Sequence, residues 1–115
     1  MTPPVLDREL VNEIKRLEQM TGRDMLSVFV RRLEEQLAGF EAAFSASVAR
    51  GDAAGAVRAA HSLKGASRQL GASALGGLFA DIELAAKSGD YAEAKRKFDG
   101  GADLIAQSLE ALKRA

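Results

Sequence analysis

HSLKGASRQLGA, residues 61–72, contains the only histidine of this 115-residue chain, His61. The stretch lies in an alanine-rich segment whose apolar residues recur at helical spacing. A helix advances about 100° per residue, so Leu63 and Leu70 fall on the side opposite His61. The same rotation places three other residues within about 60° of the histidine: Lys64, Gly65 and Arg68. Because the leucine side is expected to enter the core, the imidazole is expected to face solvent.

Composition limits the classes of protein that the chain can represent. It has no cysteine, which excludes disulfides and zinc–thiolate sites. Its 16 basic residues balance 16 acidic ones and are dispersed, so no basic face for nucleic acid is expected. No apolar run approaches the roughly 20 residues that span a bilayer, and Met1–Asp7 lacks the pattern of a signal peptide. We therefore expect a single domain over residues 1–115, cytoplasmic, with neither nucleic acid nor a membrane as partner.

Helix start and stop signals divide the chain into five predicted helices. Capping side chains precede four of them: Asp7, Asp52, Ser73 and Asp90. Glycines follow the first four: Gly22, Gly51, Gly71 and Gly89. The first helix ends at about residue 20, and the second and third cover residues 24–50 and 52–70. The fourth starts at residue 73 and the fifth at residue 90, where Gly100–Gly101 interrupts the helical pattern.

Each predicted helix carries one apolar face. The apolar face of the first helix contains Leu10, Ile14 and Leu17. Periodicity does not determine which of these residues, or of the nearby Leu6, face outward. Amphipathic helices joined by connections of a few residues favour an antiparallel arrangement. We therefore expect an all-α fold: an antiparallel up-down four-helix bundle with an additional short N-terminal helix across one end or side.

The motif His-x-Leu-Lys-Gly-x-Ser-x-x-Leu-Gly-Ala, at His61–Ala72, resembles the signature of histidine-containing phosphotransfer domains, the four-helix modules of two-component phosphorelays. The resemblance extends to the spacing of the helices and runs from about Leu6 to the end of the chain. It implies that His61 accepts a phosphoryl group. It also implies that the partners are receiver domains of hybrid histidine kinases and response regulators.

The neighbours of His61 suit that chemistry. Lys64, one turn away, is expected to neutralise phosphoryl oxygens as they arrive. Gly65 has no side chain and is expected to let a partner's active site close over the imidazole. Arg68, two turns after His61, is expected to add positive electrostatic potential at longer range. Val57, one turn before the histidine, is expected to be exposed and to serve a docking patch.

The resemblance also implies a polar side chain on the next helix, hydrogen-bonded to the histidine or to its phosphoryl group. That position falls on Glu83, where several relatives have glutamine. Two roles stay open for this residue. A carboxylate repels a phosphoryl group more than an amide does, but it can also accept the N–H of His61 and so determine the tautomer.

The chain shows no means of taking phosphate from ATP. It has no Walker-type glycine loop and no glycine-rich nucleotide lid. It also lacks the acidic, strand-borne pocket of a receiver. We therefore expect a monomeric phosphocarrier, not an enzyme with its own ATP site, that takes a phosphoryl group from one aspartyl phosphate and passes it to another aspartate. No cofactor is expected in the chain, and Mg²⁺ is expected only on the partner receiver.

Two other functions stay open at this point. One is a helical binding module that docks or sequesters receivers without being phosphorylated, although such a module needs neither His61 nor Lys64. The other is the dimerisation-and-histidine domain of a sensor kinase. Such domains usually have an acidic residue directly after the histidine, where this chain has Ser62.

Overall fold

Six α-helices make up the part of the chain that the structure describes, residues 5–115 of a computed structural model, and no strand occurs in that range. In chain order they are α1 (Arg8–Thr21), α2 (Leu26–Ala49), α3 (Ala53–Gln69), α4 (Ser73–Lys87), α5 (Tyr91–Gly100) and α6 (Ala102–Arg114). The predicted all-α class is confirmed. Where the sequence predicts one interrupted fifth helix, the structure has two, with α5 ending at Gly100 and Gly101 standing between α5 and α6. None of the six described helices combines the length and apolarity needed to cross a bilayer.

Three of the four predicted N-terminal caps are present. The carboxylates of Asp7, Asp52 and Asp90 each accept a hydrogen bond from backbone N–H groups in the first turn of the helix that follows. These N–H groups have no partner within their own helix, so the caps stabilise the helix starts. The predicted cap at Ser73 is wrong. Ser73 is already the first residue of α4, and Ala72 holds the capping position without a side-chain bond.

Both ends of α1 are attached to the other helices. At its start, the Asp7 N–H donates to the carbonyl oxygen of Gly71, in the turn after α3. Gly71 has φ +78°, and a Cβ there would lie 2.8 Å from the Asp7 carbonyl oxygen, so only glycine fits this contact. Near its end, Glu18 Oε2 accepts the N–H groups of Met25 and Leu26 at 2.8 and 2.9 Å and thereby caps α2.

The structure settles which residues of the predicted apolar face of α1 point inward: Ile14 does, and Leu10 and Leu17 do not. Val11 and Ile14 are buried, whereas Leu10 and Leu17 are 37 and 43% exposed. The Gly71 turn lies against this part of α1, where a Cβ at Gly71 would be 3.3 Å from Leu10 Cβ and 3.4 Å from Val11 Cγ2. Ile14 is thus the one residue of the predicted face that belongs to the core.

α3 packs between α2 and α4, and these two contacts form the centre of the fold. α4 also packs against α5, and α6 packs against α2, α4 and α5. Phe79 of α4 is fully buried, with its ring centroid 5.2 Å from that of Phe40 on α2 and 6.3 Å from that of Phe98 on α5. The packing places α3 directly beside α4, which positions the site described below. The up-down order of the expected bundle stays a prediction.

Phe79→Ala is expected to lower the free energy of unfolding by about 3–5 kcal/mol, because it removes a ring from a closely packed position. Leu84→Ala is the matched control on the same helix. Leu84 is 66% exposed, so its truncation should change stability by no more than about 0.5 kcal/mol. Urea denaturation followed by circular dichroism measures both. Equal losses in the two variants would contradict the orientation of α4.

Candidate functional site

His61 lies in the middle of α3 with its side chain 67% exposed. The opposite side of the helix is buried through four residues: Ala56, Ala60, Leu63 and Ser67. Burial of that face determines the rotation of α3 about its own axis. The histidine therefore stands on a packed helix rather than on a loop, and its ring is accessible to a partner.

A buried carboxylate on α4, Glu83, holds the histidine in place. Glu83 is only 3% exposed. His61 Nδ1 lies 3.0 Å from one carboxylate oxygen and 3.2 Å from the other. Lys64 Nζ donates to the same two oxygens at 2.9 and 3.2 Å. Lys87 Nζ, one turn along α4, lies 3.9 Å from the carboxylate, so one imidazole and two ammonium groups share it.

The contact with Glu83 determines which nitrogen of His61 carries the proton. An ionised carboxylate has only acceptor positions, so Nδ1 must be the donor in this bond. In the neutral imidazole the lone pair then lies on Nε2, at the other edge of the ring. Nε2 is therefore the nucleophilic atom, and the Nδ1 bond orients it.

The hydrogen bonds from Lys64 lower the pKa of Glu83 below the usual value for a glutamate. Burial acts in the opposite direction, while the bond from His61 and the charge of Lys87 lower the pKa further. The carboxylate is consequently ionised at neutral pH. The tautomer assignment depends on that ionised state.

Lys64 is less accessible than an ordinary surface lysine, with its side chain 22% exposed. The sequence predicts a cation one turn from His61 that meets phosphoryl oxygens. The structure places the ammonium in the same cluster as the imidazole, but bound to Glu83. An incoming phosphoryl group must therefore compete with this carboxylate for the ammonium.

Gly65 and Val57 flank His61 on α3 in different ways. A Cβ at Gly65 would meet nothing within 4 Å outside its own stretch of helix, so the surface beside the imidazole is open. The exposed Val57 that the sequence predicts is not found, because this side chain is half-buried and packs against the core. Around the axis of α3, Val57 lies about 40° from His61, on the same side as Lys64. This is the side that faces α4, so Val57 is partly covered.

Arg68 is exposed, two turns after His61 on α3. Its side-chain stem lies against the backbone of α4 at Gly76. No acidic group in the described part of the chain forms an ion pair with its guanidinium. Its positive charge is thus presented to solvent.

The sequence interpretation omits two residues that the structure brings to the site. Lys87 follows Glu83 by four positions on one helix, and that spacing is a signal that indicates the pair. Gln36 Nε2 donates to Ser62 Oγ at 3.0 Å and links α2 to α3 beside His61. No sequence signal indicates this second bond, because its residues lie 26 positions apart on different helices.

The lowered pKa of Glu83 predicts how stability depends on pH. Folding favours the ionised form, so its contribution is complete above the ordinary pKa of 4.5 and is lost as pH falls through the lower native pKa. Wild type is expected to be more stable than Glu83→Gln at pH 7, and the difference should shrink below pH 4.5. Urea denaturation across this range measures it, with exposed Glu110→Gln as control. A difference independent of pH would contradict the ionised, bonded state.

Comparison with known proteins bears on the whole of this site. A family model described as "Hpt domain" matches residues 24–115, which include α2 to α6 and all the site residues above. The match begins at Asp24 and leaves α1 out, whereas the sequence predicts a resemblance from about Leu6. Searches among curated proteins and among solved structures found no significant match. On the family match, the chain belongs to the Hpt family of histidine-containing phosphotransfer domains.

Proposed function

We propose that this chain is a phosphorelay intermediate, in which His61 accepts a phosphoryl group from the aspartyl phosphate of one receiver domain and passes it to the aspartate of another. Hpt domains act in phosphotransfer within two-component systems and bind receiver domains. The observation that carries the proposal is the pairing of an exposed imidazole with a buried carboxylate on its Nδ1 side. That pairing leaves Nε2 as an oriented nucleophile facing a partner.

The transfer step follows from this tautomer. The Nε2 lone pair attacks phosphorus, a P–N bond forms, and the P–O bond to the aspartate breaks with its electron pair leaving on the carboxylate. The Nδ1 proton stays in place, so the ring becomes a phosphorylated imidazolium. Glu83 then faces a developing positive charge at 3.0 Å, which stabilises the transition state electrostatically. Return of the phosphoryl group to another receiver is the same step reversed.

Lys64 has a second task in the proposed step. Its ammonium leaves Glu83 and binds the phosphoryl oxygens, since charge neutralisation is the main contribution of a protein to phosphoryl transfer. Lys87, 3.9 Å from Glu83, remains as a partner for the buried carboxylate. The proposed exchange therefore leaves Glu83 with a cation nearby.

The other parts of the proposal concern the protein as a whole. Residues 1–115 form one phosphotransfer domain, an antiparallel up-down bundle with α1 added, that acts as a cytoplasmic monomer. It has no ATP site of its own and requires no resident cofactor, and Mg²⁺ is supplied by the receiver. Gly65 forms the open surface over which the receiver closes.

His61→Gln is expected to abolish labelling by a phosphorylated receiver while leaving helicity unchanged, because the side chain faces solvent. The receiver is one that exchanges label with the wild-type protein. Label on the wild-type chain should be lost in acid and survive base, as a P–N bond requires. Label that persists on folded His61→Gln would contradict the acceptor assignment. A wild-type chain that binds receivers but takes no label would support the sequestering module instead.

Gly65→Gln is expected to block transfer without unfolding the protein, because the new side chain projects into open space beside His61. Its melting temperature should equal or exceed that of wild type, since glycine is a poor mid-helix residue. Gly100→Gln on α5 is the matched control, as that site is also open. Normal transfer by Gly65→Gln would show that the receiver approaches from another side, and early melting would indicate a packing role for the glycine.

A further inference from the structure

α3 is a cationic helix in a chain of balanced charge. It carries Arg58, Lys64 and Arg68 and no acidic residue, whereas the whole chain has 16 basic and 16 acidic residues. Arg58 lies 3.9 Å from Asp52, and Lys64 binds Glu83. Only Arg68 of these three has no ion-pair partner within the described residues. The surplus positive charge of the histidine helix is therefore concentrated at Arg68.

The position of Arg68 relates it to the reacting group. It is seven positions after His61, which corresponds to about 10 Å along the helix and a rotation of about 20°. Gly65 lies between them and leaves the surface bare. The outer side of α3 thus presents an imidazole, an open stretch of backbone and a guanidinium in line.

The Arg68 side chain packs against α4 at Gly76, where the absence of a side chain leaves room for it. A Cβ at Gly76 would lie 2.7 Å from Arg68 Cγ and 3.3 Å from Nε, so any side chain there would displace the arginine. The neighbouring Gly77 has nothing within 4 Å of its Cβ position. Because the stem is packed against a helix, less rotamer freedom remains to be lost when the guanidinium binds a partner.

We propose that Arg68 binds an acidic side chain on the rim of the receiver that docks over His61, and that Gly76 is the positioning residue that holds Arg68 for this contact. The inference rests on the proposed function, because a receiver must approach this face to bring its aspartate to Nε2. It adds a determinant of partner choice outside the imidazole, ammonium and carboxylate cluster.

Charge complementarity identifies the partner group as a carboxylate. The phosphorylated aspartate of a receiver lies in an acidic pocket, which the cationic face of α3 matches. A guanidinium binds a carboxylate through two parallel N–H···O bonds and so also specifies orientation. Because Arg68 lies about 10 Å along α3 from His61, its contact is with the rim of that pocket rather than with the reacting aspartate. Rim charges govern encounter rate and partner discrimination.

The test measures transfer from the phosphorylated full chain to a receiver selected because it takes label from wild type. Arg68→Ala is expected to raise the KM for the receiver about tenfold with a smaller change in kcat, and to weaken the dependence of KM on salt. Gly76→Ala is expected to raise KM in the same direction, because the new Cβ displaces the arginine. Gly77→Ala is the matched control and should behave as wild type. Arg68→Lys should recover only part of the loss, since lysine lacks the planar fork.

A second arm separates this proposal from the proposed function. Phosphoramidate, a small P–N donor with no docking surface, is used to label His61 directly. Failure to label the wild-type chain by phosphoramidate and by receiver alike would refute the acceptor role itself. Labelling of wild type combined with an unchanged KM in Arg68→Ala would refute only the rim contact. Equal KM values for Gly76→Ala and Gly77→Ala would refute the positioning role, and thermal melts confirm that each variant is folded.

Discussion

The buried carboxylate of Glu83 is the constraint on which the rest of the site depends. An ionised carboxylate out of water is costly unless cations and hydrogen bonds compensate it. Here the compensation comes from both helices of one contact, with Lys64 on α3 and Lys87 on α4. A shift of α3 along α4 would leave a buried charge unmatched. The Glu83 carboxylate therefore determines both the register of the two helices and the orientation of the His61 ring.

Each helix around this contact has a different structural role. α3 exposes His61 because its opposite face is buried. α4 orients the ring through the bond between Glu83 and Nδ1. α2 supports the arrangement through the Gln36–Ser62 bond, on the side of α3 away from the carboxylate. Phe79, fully buried one turn before Glu83, packs α4 against α2 and α5. Among the described residues, the imidazole and the carboxylate bonded to it are both carried by helices, which keeps the nucleophile oriented before a partner arrives.

Sequence reasoning succeeds here where the cause is local and fails where it depends on packing. The caps at Asp7 and Asp52 follow from short-range bonding, which explains why they were predictable. At Ser73 the local signal is misplaced by one residue, because the left-handed turn at Gly71 starts the helix earlier. Glu83 could be located through the family motif, but its burial and its bonds to Lys64 arise only when α3 and α4 meet. No periodicity within either helix contains that information.

α1 shows that the edge of a family and the edge of a folding unit need not coincide. The family match starts after α1, yet α1 supplies the carboxylate that caps α2 and is hydrogen-bonded to the turn that closes α3. Cutting the chain at the family boundary would uncover the apolar surface under Val11 and Ile14 and leave the first amides of α2 without acceptors. An excised fragment would keep every reacting group but lose part of the framework that holds them. The boundary of the reacting groups and the boundary of the contacts that hold them therefore lie at different places in the chain.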